Sequence, residues 1–342
     1  MQQRDRMFAL LVSVPFILVT LASPSADCQQ KPALLERDRI RLAEAFRLGD
    51  ELGNLIWSDW NRAPFAVLLI TPEYEYLIRH PKPSSDFTYL HHDPLLQSGV
   101  YVRKRILQPN LLASFPAVSG VSTIVVGQAE NTNAKSSTRW ILAMLHEHFH
   151  QLQASQPSYY SDVEALNLSG GDQTGMWMLN YPFPYESTAV NQRFSSLCRK
   201  LSDALEARRS DNFEAAVNVY RQAREEFRKV LTEADYRYFS FQVWQEGVAR
   251  YTEYRIAELA AESYRPGRSF SSLPDYTPYQ AEADILREGI PKALPFLSLA
   301  GLKRVAFYPF GAAEALLLDV LNPVWRSVYF KEKFYLEAYF RN

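Results

Sequence analysis

The sequence predicts an α+β fold: a small mixed sheet with helices in the N-terminal half, then a mostly helical C-terminal half. Three observations carry this. Between residues 65 and 126, short apolar runs alternate with turn residues, as strands do. From residue 136 onward, apolar residues recur at helical spacing. Where the two regimes meet stands His146-Glu147-His148-Phe149-His150, an HExxH sequence inside the apolar stretch Trp140 to Leu152.

Length and composition set the bounds. The chain has 342 residues, with 47% hydrophobic and 22% charged residues, which is ordinary globular material with ample side chain for a core. Its net charge of −1 argues against nucleic acid or an anionic membrane surface as partner. Twenty Tyr, twenty Phe and six Trp suit a large core or an aromatic-lined cleft equally well.

Residues 1–26 read as a signal peptide. Arg4 and Arg6 make a basic start, Met7 to Ala22 is an uncharged apolar run, and Ala22, Ser23, Ser25 and Ala26 supply small residues for cleavage. The implied location is secreted or periplasmic, with no stable membrane insertion after cleavage. An uncleaved N-terminal anchor is the alternative. Asp27 stands before Cys28, where lipid attachment needs a small residue. Cys28 and Cys198 are the only cysteines, and either a disulfide or two free thiols fits.

The remaining chain divides into residues 27–155, an α+β part ending in the HExxH helix; 156–240, a loop and helices; and 241–342, a further helical part. Residues 34–60 form an amphipathic helix, with Leu42, Ala45, Leu48, Leu52 and Leu55 on one face. Strands are expected at 65–70, 74–78 and 122–126, with a Pro- and Ser-containing loop at 81–85 between them. Ser136 and Ser137 can cap the helix that carries HExxH. Helices follow at 186–208 and 212–231. The strand at 122–126 is expected either at the sheet edge beside the metal helix or as an internal core strand.

The chemistry lies in the HExxH segment. On a helix, His146 and His150 are one turn apart and face the same way, so both imidazoles can reach one zinc ion. Glu147 flanks that face, where a carboxylate can take a proton from water. His148 falls among Ile141, Leu145 and Leu152 on the opposite side and is expected to be a hydrogen-bonded core histidine. A hydrolytic zinc site needs a third protein ligand. His80, His91 and His92 all precede the motif in a loop-like region. Attention therefore falls on downstream carboxylates.

One downstream segment is Trp244-Gln245-Glu246-Gly247-Val248-Ala249-Arg250-Tyr251-Thr252-Glu253-Tyr254. It resembles the second catalytic helix of the aminopeptidase N-like gluzincin peptidases, whose pattern is W-x-x-E-G-[FV]-A-x-Y-x-E-Y. The resemblance implies a zincin-like placement of the HExxH helix. It also implies Glu246 as third zinc ligand and Glu253 as a carboxylate that orients a ligand histidine. A second element, Tyr308-Pro309-Phe310-Gly311-Ala312, stands 62 positions past Glu246 and is similar to the family's Y-x-x-G-[AS]. It implies Tyr308 as hydrogen-bond donor to the oxyanion, with Tyr251 and Tyr254 as alternatives.

The chain also departs from the family. Glu246 lies 96 positions after His150, where the family keeps a short gap, so residues 156–240 read as an inserted loop and helical subdomain. Gly127-Gln128-Ala129-Glu130-Asn131 only faintly echoes the family's exopeptidase element, so recognition of a substrate amine is not implied. Leu168 to Tyr185, rich in Gly and aromatic residues, forms either a lid over the cleft or a seal between the inserted helices and the body. The expectation is a secreted zinc-dependent hydrolase, a metallopeptidase with a peptide or protein substrate. The alternatives are a zinc hydrolase of a non-peptide amide or ester, and a non-catalytic zinc-stabilised binding protein.

Overall fold

A computed structural model describes residues 32–340. The signal segment and Cys28 lie outside the described residues. The chain begins with α1 (Glu36–Ile56) and then builds six strands: β1 (Val67–Ile70), β2 (Tyr74–Ile78), β3 (Thr88–Asp93), β4 (Ser98–Lys104), β5 (Leu112–Val118) and β6 (Val121–Gly127). Helices follow: α2 (Ser137–Ala154), α3 (Tyr159–Ala165), α4 (Trp177–Asn180), α5 (Thr188–Glu206), α6 (Phe213–Arg228) and α7 (Glu233–Gln242). A single π-helical turn, Val243–Gly247, joins α7 to α8 (Val248–Ser263). The chain closes through α9 (Arg268–Ser271), α10 (Tyr279–Ala293), α11 (Leu299–Leu302) and α12 (Phe307–Leu321). This is the α+β architecture expected.

The sheet runs β3-β4-β2-β1-β6-β5. Only the β1–β6 pair is parallel, with Val67 opposite Ile124. Both faces are buried. Val67, Leu69, Ile124 and Val126 join the main core, while Leu68, Ile70 and Val125 join a second cluster with Phe87 and Val118. That is why β1 and β6 read as unbroken apolar runs rather than alternating ones.

One open alternative is decided here and one expectation is corrected. The strand at 122–126 is internal, flanked by β1 and β5, so it has no free edge. The edge is β5, which was not expected as a strand. Its pairing with β6 is irregular between Phe115 and Val118, around Pro116. Proline lacks the N–H a ladder needs, so it belongs at a bulge or an edge. His91 and His92 lie on β3, the opposite edge strand, and not in a loop.

The HExxH helix is fixed to the sheet by buried polar groups. The Ser136 hydroxyl accepts from the Arg139 amide, as a capping residue should. Arg41 of α1, itself buried, donates to Ser137 Oγ at 2.8 Å and to Asp275 at 2.9 Å. Trp140 Nε1 donates to the Gly127 carbonyl (2.9 Å), and Gln151 Nε2 to the carbonyls of Ala66 (3.0 Å) and Ser122 (2.8 Å). A helix held at both ends in this way keeps its side chains in register with its neighbours.

In the helical half, α8 packs against α2, α10 and α12. Trp57, just past α1, donates from Nε1 to Thr252 Oγ1 of α8 at 2.9 Å. At the crossing of the π turn with α12, two glycines meet: a Cβ on Gly247 would sit 2.4 Å from Gly311 Cα. Only glycine permits that approach. The helices of residues 156–240 share the main core, with Phe194 of α5, Phe227 of α6 and Phe239 of α7 in mutual ring contact. Cys198 is buried on α5 and unpaired among the described residues.

Candidate metal centre

The helix α2 presents His146 and His150 together, their ring centroids 4.9 Å apart. The π turn brings Glu246 between them. Glu246 Oε2 lies 3.6 Å from His146 Nε2 and 3.3 Å from His150 Nε2. Donors each about 2.0–2.1 Å from a tetrahedral zinc ion stand about 3.3 Å from one another. The two spacings from Glu246 Oε2 are close to that figure, and two imidazoles with one carboxylate are a donor set that zinc accepts. The donors therefore fit the metal that the motif implies.

Glu147 is the second carboxylate here. Ligand atoms of His146, Glu147 and His150 all lie within 4.8 Å of one another. Glu246 is closer to both nitrogens, so it is the better third ligand. Glu147 makes no such ion pair with either imidazole, and its carboxylate stays beside them, within 4.8 Å. Its backbone carbonyl accepts from Ser114 Oγ of β5 at 2.9 Å, which lays the sheet edge alongside it.

Each histidine is oriented through its other ring nitrogen. His146 Nδ1 faces Glu253 Oε2 at 3.6 Å, an ion-pair distance rather than a tight hydrogen bond, and Arg250 Nη1 holds the same oxygen at 2.6 Å. His150 Nδ1 meets Gln153 Oε1 at 2.7 Å. The Gln153 amide has only one sensible orientation. Its Nε2 is surrounded by acceptors: Tyr329 Oη at 2.8 Å and the carbonyls of Gln245 at 3.2 Å and Trp244 at 3.4 Å. Its oxygen therefore faces His150 Nδ1, and this 2.7 Å contact, shorter than the 3.2 Å approach of Gln245 Nε2 to the same nitrogen, favours the proton on Nδ1 and the lone pair on Nε2. The carbonyls it grips belong to the π turn, where the regular ladder is broken and backbone groups look outward for partners.

The electrostatics suit a cation. Burial pushes the His146 imidazole down, but Glu246, Glu253 and Glu147 outweigh it and hold it up to about 10. Burial raises Glu246, yet His150 and His146 bring it well below the usual carboxylate range. Burial likewise opposes, and Arg250 and His146 overcome, in lowering Glu253 to about 2. Three carboxylates thus surround two imidazoles in a largely buried space.

Tyr308, at the start of α12, completes the arrangement. Its ring lies parallel to that of His146 with centroids 6.2 Å apart. Its hydroxyl accepts from Arg304 Nη1 at 2.7 Å, with the Glu246 carboxylate close by. Burial, then the Glu246 charge, pushes the phenol well above its ordinary value, so it stays protonated and able to donate. The alternative phenols are engaged elsewhere: Tyr251 with Asp319 and Arg326, Tyr254 with Glu258.

Gln153 and Arg304 were not expected from the sequence. Gln153 had a signal: His148-x-x-Gln151 and His150-x-x-Gln153 are interleaved, and residues three apart meet on a helix. His148 bonds Gln151 Oε1 at 2.7 Å and stacks on Phe65, as a core histidine should. Arg304 had none, being one arginine among many.

The segment 168–185 is engaged with α7. Trp177 packs on Phe241 and Tyr181 stacks on Tyr238, with centroids 5.4 and 4.4 Å apart. The Met178 carbonyl accepts from Tyr238 Oη and Gln242 Nε2. These contacts are those of the seal. Trp177 and Tyr181 line a groove of about 520 Å³ that includes none of the metal-site residues.

No family model, no curated protein and no solved structure matches the chain.

Proposed function

We propose that this protein is a zinc-dependent hydrolase that cleaves an amide bond, with a peptide as substrate. The observation that carries the reading is the approach of Glu246 Oε2 to His146 Nε2 and His150 Nε2, at 3.6 and 3.3 Å, with the Glu147 carboxylate beside them. Its export rests on the apolar run at residues 7–22. The likeness of residues 244–254 and 308–312 to gluzincin peptidases supports the same reading.

His146, His150 and Glu246 would hold the ion, Glu253 and Gln153 keeping the two imidazoles aimed. A zinc ion there supplies Lewis acidity, making water more acidic and a carbonyl more electrophilic. Glu147 is the base: its carboxylate takes the water proton as the carbonyl carbon is attacked, then delivers it to the leaving nitrogen. Tyr308 accepts from Arg304, so its own proton is free for the oxygen on which negative charge develops. The edge strand β5 supports a peptide as substrate, since an extended chain can add to a free edge lying next to the base. Pairing would be confined to the residues before Pro116, which offers no N–H.

Three protein donors favour catalysis over a purely structural ion, which takes four. The test is Glu147→Gln. Zinc content, measured by atomic absorption, should stay at one per chain, while hydrolysis of a mixed peptide library falls by at least about a hundredfold. Undiminished hydrolysis by the zinc-loaded variant rules the mechanism out.

A further inference from the structure

The cleft holds one cation that the proposed chemistry leaves without a lasting counter-charge. Arg304 is partly buried, with 24% of its side chain exposed. Its Nη1 serves Tyr308 Oη at 2.7 Å and lies 3.6 Å from Glu246 Oε1. Among the described residues, no other carboxylate comes within ion-pair distance of it, and its Nε and Nη2 have no protein partner. A guanidinium stays charged at all relevant pH values. Glu246, however, is also the proposed metal ligand. Once its charge is shared with a dication, it can no longer neutralise Arg304, and an uncompensated charge in a part-buried site is costly. The backbone next to Arg304 is strained as well: Lys303 sits at φ 49°, ψ −134°, a region that L side chains rarely adopt, as happens where function overrides local comfort.

We propose that the free side of the Arg304 fork binds a carboxylate of the substrate, next to the bond that is cut. A guanidinium fork matches a carboxylate with two parallel N–H donors, and such charge-assisted pairs are the strong ones. Because the same guanidinium touches Tyr308 and Glu246, the anion it holds lies within about one residue of the reacting carbonyl. The carboxylate is that of a free C-terminus or of an acidic side chain. This assignment rests on the metal reading above and narrows it to anionic substrates.

The experiment uses zinc-loaded protein and three thiol probes, followed by calorimetric titration. The probes are mercaptoacetyl-leucine, mercaptoacetyl-leucinamide and mercaptoacetyl-aspartic acid 1-amide. All three carry the same metal-seeking thiol. The first has a terminal carboxylate, the second none, and the third only a side-chain carboxylate. At least one acidic probe should bind roughly 10- to 100-fold tighter than the leucinamide, as a charge-assisted pair predicts. Which acid wins identifies the source. In Arg304→Gln the ratio of acid to leucinamide affinity should fall to about one, and Arg304→Lys should recover part of it. Equal binding of acids and amide by the unaltered protein overturns the proposal without touching the metal reading. So does an advantage that survives in Arg304→Gln. A chain that takes up no zinc before any probe is added overturns both, and the zinc assay reads that outcome separately.

Discussion

Replacing Gln153 by leucine, close in size but without polar atoms, probes how the site is held together. The change strips the acceptor from His150 Nδ1 (2.7 Å) and the donor from Tyr329 Oη (2.8 Å) and the Gln245 carbonyl (3.2 Å). Tyr329 keeps its own bond to the Trp244 carbonyl, so its loss is partial. Leaving a buried polar group unpaired costs about 1–3 kcal/mol. His150 Nδ1 keeps only the longer approach of Gln245 Nε2 at 3.2 Å, and with three buried groups left under-satisfied we expect destabilisation on the order of 2–4 kcal/mol. Zinc affinity should fall by roughly 10- to 100-fold, the usual effect of removing a partner that orients a ligand histidine. Gln153→Glu separates the two effects. Its carboxylate still accepts from Nδ1–H but cannot donate to the carbonyls of the π turn. It should keep zinc and still lose stability. Urea unfolding in the presence of chelator reads the first quantity, and competition with a zinc-binding dye reads the second. If Gln153→Leu binds zinc as tightly as the unaltered chain, the tautomer argument is refuted.

Three further outcomes follow from other parts of the fold. Burial holds His148 down to about 4, against 6.5 for a free imidazole, so the unfolded chain takes a proton that the folded one refuses. Stability is then present above pH 6.5 and lost as pH falls through 4, by on the order of 3 kcal/mol. His148→Phe should remove most of that acid sensitivity in urea titrations between those pH values, and an unchanged acid loss would assign it to other groups. Gly311→Ala places a methyl 2.7 Å from Gly247 Cα and from the Val243 carbonyl, forcing α12 off the π turn. We expect a loss of about 1–3 kcal/mol by thermal unfolding. Gly289→Ala, an exposed α10 position with no atom within 4 Å of the added carbon, should leave the protein as stable or more so.

What could be read from the sequence was what repeats at short range. The helices around 136–154, 188–206 and 213–228 announced themselves by spacing, and β1, β2 and β6 by apolar runs. The strands β3, β4 and β5 did not. They carry mixed side chains, and Pro116 interrupts the last, because one side of each is open or shared with loops. The proximity of Glu246 and Glu253 to His146 followed from a resemblance in the residues around them. The π turn could not be read, since Val243 to Gly247 has the composition of ordinary helix and the irregular hydrogen bonding depends on Gln153 and Tyr329, distant in sequence. Arg304 is the clearest gap: its meaning comes entirely from what surrounds it after folding.

The seven-position step from Glu246 to Glu253 forms a fixed ruler. One imidazole, His146, is met by the first carboxylate on one ring nitrogen and by the second on the other. Removing or adding a single residue between them would turn everything beyond by about 100° around the helix axis. Glu253 would swing off the histidine, and Thr252 would leave Trp57. Length variation in this protein should therefore be found in the connections, such as the turn at 207–212 between α5 and α6, where an extra residue alters a loop and nothing else. Along the stretch from the π turn through α8, the chain tolerates exchange of letters but not a change in their number.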